Sequence, residues 1–162
     1  TLERLTREGR LARDEVIVCT KGGYLPYDGE PPADPGRYIV ETFLRPGLLR
    51  YDDLVAGSHC LAPRYLEHQL TISLKNLQVE TVDIYYLHNP EQQLDEIPRE
   101  TFLGRMEACF KFLESQTAAG RIRLMKARRC CSASATSRSR ASSSRTISRG
   151  RRAERAPIPR IP

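Results

Sequence analysis

The 162-residue sequence has no run of about 18 apolar residues, which leaves no candidate for a membrane-spanning helix. Its charged opening, TLERLTREGR, does not resemble a secretory leader. The five cysteines (Cys19, Cys60, Cys109, Cys130 and Cys131) are odd in number and form no C-x-x-C pair. Neither a disulfide framework nor a zinc site is favoured by that arrangement. No metal is expected, and a reducing cytoplasm is the expected compartment. The first residue is Thr1 and not Met, which reads as a missing beginning.

Charge is unevenly placed. Over residues 1–120, 13 Lys and Arg stand against 19 Asp and Glu, a balance of −6. Over residues 121–162, 13 Lys and Arg stand against Glu154 alone, a balance of +12. The overall +6 is therefore a mildly acidic globular part joined to a basic tail.

Two apolar stretches organise the globular part. Residues 81–90, TVDIYYLHNP, read as a strand buried on both faces, as in parallel sheets, with His88 at its carboxyl end. Residues 15–21, EVIVCTK, read as a second such strand ending in Lys21, followed by Gly22-Gly23. Between them, residues 61–77 carry Leu66, Leu70, Ser73, Leu74 and Leu77 at helical spacing, with Pro63 in the first turn. Strand, helix and strand make a βαβ crossover. A right-handed crossover brings Lys21 and His88 to one edge of the sheet, where α/β folds place their chemistry. The plainer alternatives are a surface lysine at a strand end and a histidine that caps the loop backbone.

The remaining elements are read in the same way. Residues 1–9 suggest the end of a helix, with Leu2 and Leu5 on one face. Residues 24–54 form a long, proline-rich connection with a short helix over 38–44. Its Tyr24, Tyr27 and Tyr38 either line a substrate pocket or pack on one another. His59, Cys60 and His68 are conceivable metal ligands, but no carboxylate or fourth ligand joins them at helical spacing. Residues 91–97 read as a polar loop, and 98–119 as a second amphipathic helix with Phe102, Met106, Cys109, Phe110 and Leu113 inward. A further strand begins at residues 121–125.

The stretches RDEVIVCTKGG and APRYLEHQLTISLKNLQVETVDIYYLHNPE resemble the aldo-keto reductases. Leu70, Ser73, Leu74, Leu77, Asp83, Tyr85 and His88 stand in that family's register, and the resemblance runs from residue 1 to about 123. It implies an α/β fragment of a (β/α)8 TIM barrel, covering the third and fourth strand-helix units. A whole barrel needs about 250 residues. It also implies an oxidoreductase parent that uses NADP (NADPH, sometimes NADH) to reduce an aldehyde or ketone, with a small-molecule carbonyl compound as partner. Four catalytic groups go with that activity: an Asp, a Tyr acid, a Lys and a His. Lys21 and His88 correspond to the last two. The Asp and Tyr precede the lysine-bearing strand in the family, and none of the 20 residues before Lys21 forms that motif. The cofactor-binding residues are unknown, NADPH binding by this chain is doubtful, and inactivity of the fragment is the expectation.

The domain reading is thus 1–126 for the partial reductase and 127–162 for a disordered Arg/Ser-rich tail. In those last 36 residues there are 10 Arg and 8 Ser, and no Lys, Leu, Val, Phe or Tyr. Such a composition cannot bury a core. A translated shift of reading frame in GC-rich sequence is the favoured origin. The alternatives are a real segment that binds nucleic acid through phosphates and a targeting or phosphorylated tail.

Overall fold

The computed structural model describes residues 2–128, all within one unit, Thr1–Cys130. Helix α1, Leu2–Arg7, opens it. The apolar run that follows becomes a strand only at its end: β1 is Cys19–Gly22. Arg13–Glu15 is instead a 3-10 turn, closed by the Glu15 carboxylate accepting from the Ala12 amide at 2.7 Å. The Val18 amide donates to the Asp83 carboxylate at 2.7 Å rather than to a neighbouring strand. The run is therefore extended and partly buried before any ladder begins.

The long connection holds more structure than its prolines suggest. Helix α2, Pro35–Ile39, is capped by Asp34, whose carboxylate accepts from the Arg37 amide at 2.9 Å. It widens into a π turn over Val40–Leu44, closed by the Arg45 amide donating to the Val40 carbonyl at 2.8 Å. Strands β2, Leu54–Val55, and β3, His59–Cys60, form a small antiparallel hairpin. Strands of two residues carry no periodic signal, so the sequence did not announce them.

Helix α3, Pro63–Leu77, starts on its proline and ends at Gln78, which adopts the left-handed conformation. It leads into β4, Val82–His88. The expected polar loop is a 3-10 turn, Pro90–Asp95, entered through left-handed Asn89. Pro90 suits this because its ring presets φ for a first helical position. Helix α4, Arg99–Ala118, then returns the chain to β5, Ile122–Arg128. This strand runs two residues past the change in composition at Ala127. Backbone pairing with β4 extends to His88↔Arg128, and a ladder needs no apolar side chains.

The sheet has the order β1-β4-β5, with both pairings parallel. Helices α3 and α4 are the connecting elements of an α/β fold, and they pack on one face. Leu66 and Leu70 of α3 and Cys109 and Leu113 of α4 meet Tyr85 and Leu87 of β4 in one buried cluster. Burying each leucine there is worth about 1.5–3 kcal/mol. The alternate positions Cys19, Lys21, Ile84, Tyr86 and His88 fall on the opposite face, by the two-residue period of a strand. That face is open: Leu124 is 47% exposed there, and Ile17, just before β1, is 76% exposed.

Candidate active site

Lys21 pairs in register with Tyr86, so His88 lies two residues farther along the adjacent strand on the same face. Both expected residues thus stand at the carboxyl ends of neighbouring parallel strands, away from the helix-packed core. Lys21 is exposed and His88 half-buried. His88 senses the lysine. Burial lowers the His88 pKa below its ordinary 6.5, the Lys21 ammonium lowers it further, and Glu91 opposes both.

Behind the pair, Tyr24 packs its ring against His88 and His59, with centroids 4.8 Å apart in each case. Its hydroxyl donates to Gln92. Its carbonyl oxygen accepts two bonds from α3, from the Tyr65 hydroxyl at 2.9 Å and the Gln69 amide at 2.7 Å. Gln69 also accepts from the Gly23 amide at 2.8 Å. The two readings of the connection's tyrosines therefore divide. Tyr24 stands beside His88, whereas Tyr27, Tyr38 and Phe43 form an edge-on chain that continues to Tyr65.

His59 is fully buried. Among the described residues no metal-ligating cluster of three occurs. Instead one ring nitrogen of His59 meets the His88 carbonyl oxygen at 2.9 Å and the other meets Gln93 at 3.2 Å. Burial lowers its pKa below 6.5. Sequence reasoning did not find this role for His59, nor Gln93 and Arg105 behind it. The available signal was the apolar setting of His59, between Val55 and Cys60-Leu61, which marks a buried imidazole. Cys60 and Cys109 are also buried, and burial pushes both thiols up to about 12, leaving them neutral.

The Gly22-Gly23 turn could have been a phosphate cradle, but its space is taken. A Cβ on Gly22 would collide with the Tyr85 hydroxyl, and one on Gly23 would lie 3.2 Å from Nε2 of His59. A cleft of about 360 Å³ lies between the starts of α3 and α4, lined by Leu61, Pro63, Gly104, Ala108, Asp53 and Arg105 among others. Neither Lys21 nor His88 borders it.

The model of the aldo/keto reductase family matches residues 1–126. The chain belongs to the aldo/keto reductase family. Among solved structures it is similar to the aldo-keto reductase AKR11C1 from Bacillus halodurans in its holo form, at 16% identity and a TM-score of 0.46. That likeness covers 77% of this chain and 30% of the other, so this aldo-keto reductase chain spans about a third of the solved structure it matches. No curated protein matches it. No helix among the described residues is long and apolar enough to cross a membrane. The nucleic-acid, frameshift, targeting and disorder readings of residues 127–162 lie outside the described residues, except at Ala127 and Arg128, which end β5.

Proposed function

We propose that Lys21 and His88 are the lysine and histidine of a carbonyl-reducing site, and that β1, β4 and β5 are the third to fifth strands of a (β/α)8 barrel. The observation that carries this reading is their shared placement: adjacent parallel strands present both groups at their carboxyl ends, on the sheet face not packed by helices. In such a site a ring N–H of His88 donates to the substrate carbonyl oxygen and orients it. The Lys21 ammonium favours the phenolate of a neighbouring tyrosine, lowering a pKa that otherwise lies near about 10 and suiting it to donate a proton. The substrate class is an aldehyde or ketone, and the family's cofactor is NADPH or NADH.

This chain does not complete that site. Tyr24, the tyrosine beside His88, commits its hydroxyl to Gln92. The Gly22-Gly23 turn is also filled, by the Tyr85 hydroxyl and the His59 ring. Proximity of reactants is worth about 7–11 kcal/mol of a barrier, and a positioned acid about 10²–10⁴-fold. Without either, the 162-residue chain by itself is expected to show no turnover.

The test has two arms. The purified chain is titrated with NADPH and assayed for its oxidation with aromatic aldehydes, and neither binding at micromolar concentration nor turnover is expected. A chain supplied with the upstream Asp/Tyr segment and the later strands of a family barrel should turn over, and Lys21→Met or His88→Ala should remove most of that activity. Full activity in either variant would refute the assignment. NADPH oxidation by the present chain, sensitive to both substitutions, would refute its incompleteness.

A further inference from the structure

We infer that His59 is a positioning residue for His88, the last link of a side-chain relay, Arg105–Gln93–His59, that fixes the strand end from which the His88 ring projects. The inference rests on the reading of His88 as the group that binds the carbonyl oxygen.

The direction of every bond in the relay follows from its far end. Arg105 can only donate. Its guanidinium gives bonds to the carbonyl oxygens of Asp52 at 2.6 Å and Asp53 at 3.4 Å, and to Gln93 at 3.1 Å. The Gln93 atom it meets must therefore be the oxygen, Oε1. That leaves the Gln93 NH₂ facing Nδ1 of His59 at 3.2 Å, so Nδ1 accepts. The proton of neutral His59 then sits on Nε2, which donates to the His88 carbonyl oxygen at 2.9 Å. Gln93 and His59 are both fully buried, so the bond between them is made away from competing water.

The surroundings fit this purpose. Gly23 has a φ of +126° and no side chain, which lets the imidazole reach the carbonyl; a Cβ there would lie 3.4 Å from the His88 oxygen. Immediately after His88 the chain turns through left-handed Asn89. The His88 carbonyl is thus held by a side chain at the point where the strand is leaving the ladder. The His88 ring itself faces Tyr24, the Lys21 ammonium and the Glu91 carboxylate. If the strand end relaxes, the imidazole moves away from Tyr24 and Lys21 and toward water.

The titration of His88 reads that position, and the sequence provides the means. Cleavage at Arg50, Arg64, Lys75 and Arg99 places His59, His68 and His88 on three separate tryptic peptides. Deuterium exchange at the imidazole C2–H, followed by mass spectrometry across pH, then gives a midpoint for each histidine in the full 162-residue chain. In His59→Phe, which keeps a ring against Tyr24 but has no donor, the His88 midpoint should rise toward 6.5. In His59→Gln, whose amide can still donate to the carbonyl, it should stay where it is in the parent chain. His68 should be unchanged in both. An unchanged His88 midpoint in His59→Phe would overturn the inference. Should His68 also shift in that variant, showing wider unfolding, Gln93→Leu replaces it. That change leaves His59 in place without its partner at Nδ1, and an unmoved His88 midpoint there would equally overturn the inference. Failure of the functional reading shows elsewhere: His88→Ala at full activity in the completed barrel would remove the catalytic role and leave the exchange result standing.

Discussion

Arg13 donates to Asp83 at 2.8 Å, joining residues 70 positions apart at the amino-terminal edge of the sheet. The same carboxylate oxygen accepts from the Val18 amide at 2.7 Å, and its partner oxygen lies 2.9 Å from Arg123. One side chain thus ties the approach to β1, strand β4 and strand β5 together.

Those bonds hold the Asp83 carboxyl below its ordinary 3.8, chiefly through the Val18 amide and then through Arg13. A depressed carboxylate pKa contributes stability that is fully present above the unfolded value and is lost as pH falls through the folded one. Acid unfolding should therefore steepen below about pH 4. Asp83→Asn should lower stability at pH 7 by about 2 kcal/mol and flatten that acid limb. Urea midpoints measured across pH 3–7, a range chosen around the usual carboxylate values, would test both. Identical acid limbs in the two proteins would rule the account out.

Gly22 is predicted to tolerate no side chain. Its Cβ position overlaps the Tyr85 hydroxyl and lies 2.9 Å from Oε1 of Gln69. Gly22→Ala should cost about 1–3 kcal/mol. Among the described residues the buried Tyr85 hydroxyl has no hydrogen-bond partner, so Tyr85→Phe should be neutral or stabilising by about 1 kcal/mol. It should also recover much of the Gly22→Ala loss. A double-mutant cycle by thermal melting checks this, and strictly additive effects would exclude the collision.

The titration of His88 should depend on Lys21. Because the Lys21 ammonium lowers the His88 pKa, Lys21→Met should raise the His88 midpoint. The shift should shrink in high salt as the charges are screened. Proton NMR of the imidazole, or the exchange experiment described above, would measure it. A midpoint indifferent to both the substitution and salt would place the ammonium elsewhere.

Buried His59 should make the fold acid-sensitive at milder pH than Asp83 does. Its pKa lies below 6.5 when folded, mainly through burial. The unfolded chain then binds the proton more readily, and stability contributed by neutral His59 is lost as pH falls below about 6.5. His59→Gln should remove that dependence. The melting temperature between pH 7 and pH 5, which spans the ordinary imidazole range, is the measurement. An equal decline in both proteins would acquit His59.

The sheet was legible because its strands are written as apolar runs. The run from Val82 to Leu87 and the leucine spacing of α3 placed His88 and the crossover correctly. Elsewhere the code was long-range. The stretch before Cys19 has the composition of a strand, yet its Val18 amide is claimed by Asp83, 65 positions away. The hairpin of β2 and β3 was invisible because pairing, not pattern, defines it. The same holds for the relay behind His88: Arg105, Gln93 and His59 come from α4, the 3-10 turn and the hairpin, and nothing in their spacing announces that they touch.

The pair of hydrogen bonds to the Tyr24 carbonyl has a consequence for how this chain can change. Tyr65 and Gln69 anchor the first residues after β1 to the helix that follows the hairpin. The arc beyond the anchor, residues 26–31, is exposed throughout and lies upstream of capped α2. Insertions, deletions or a protease nick in that arc act on a loop whose two feet are already fixed. Its length is free to drift while the ends of the strands stay where they are.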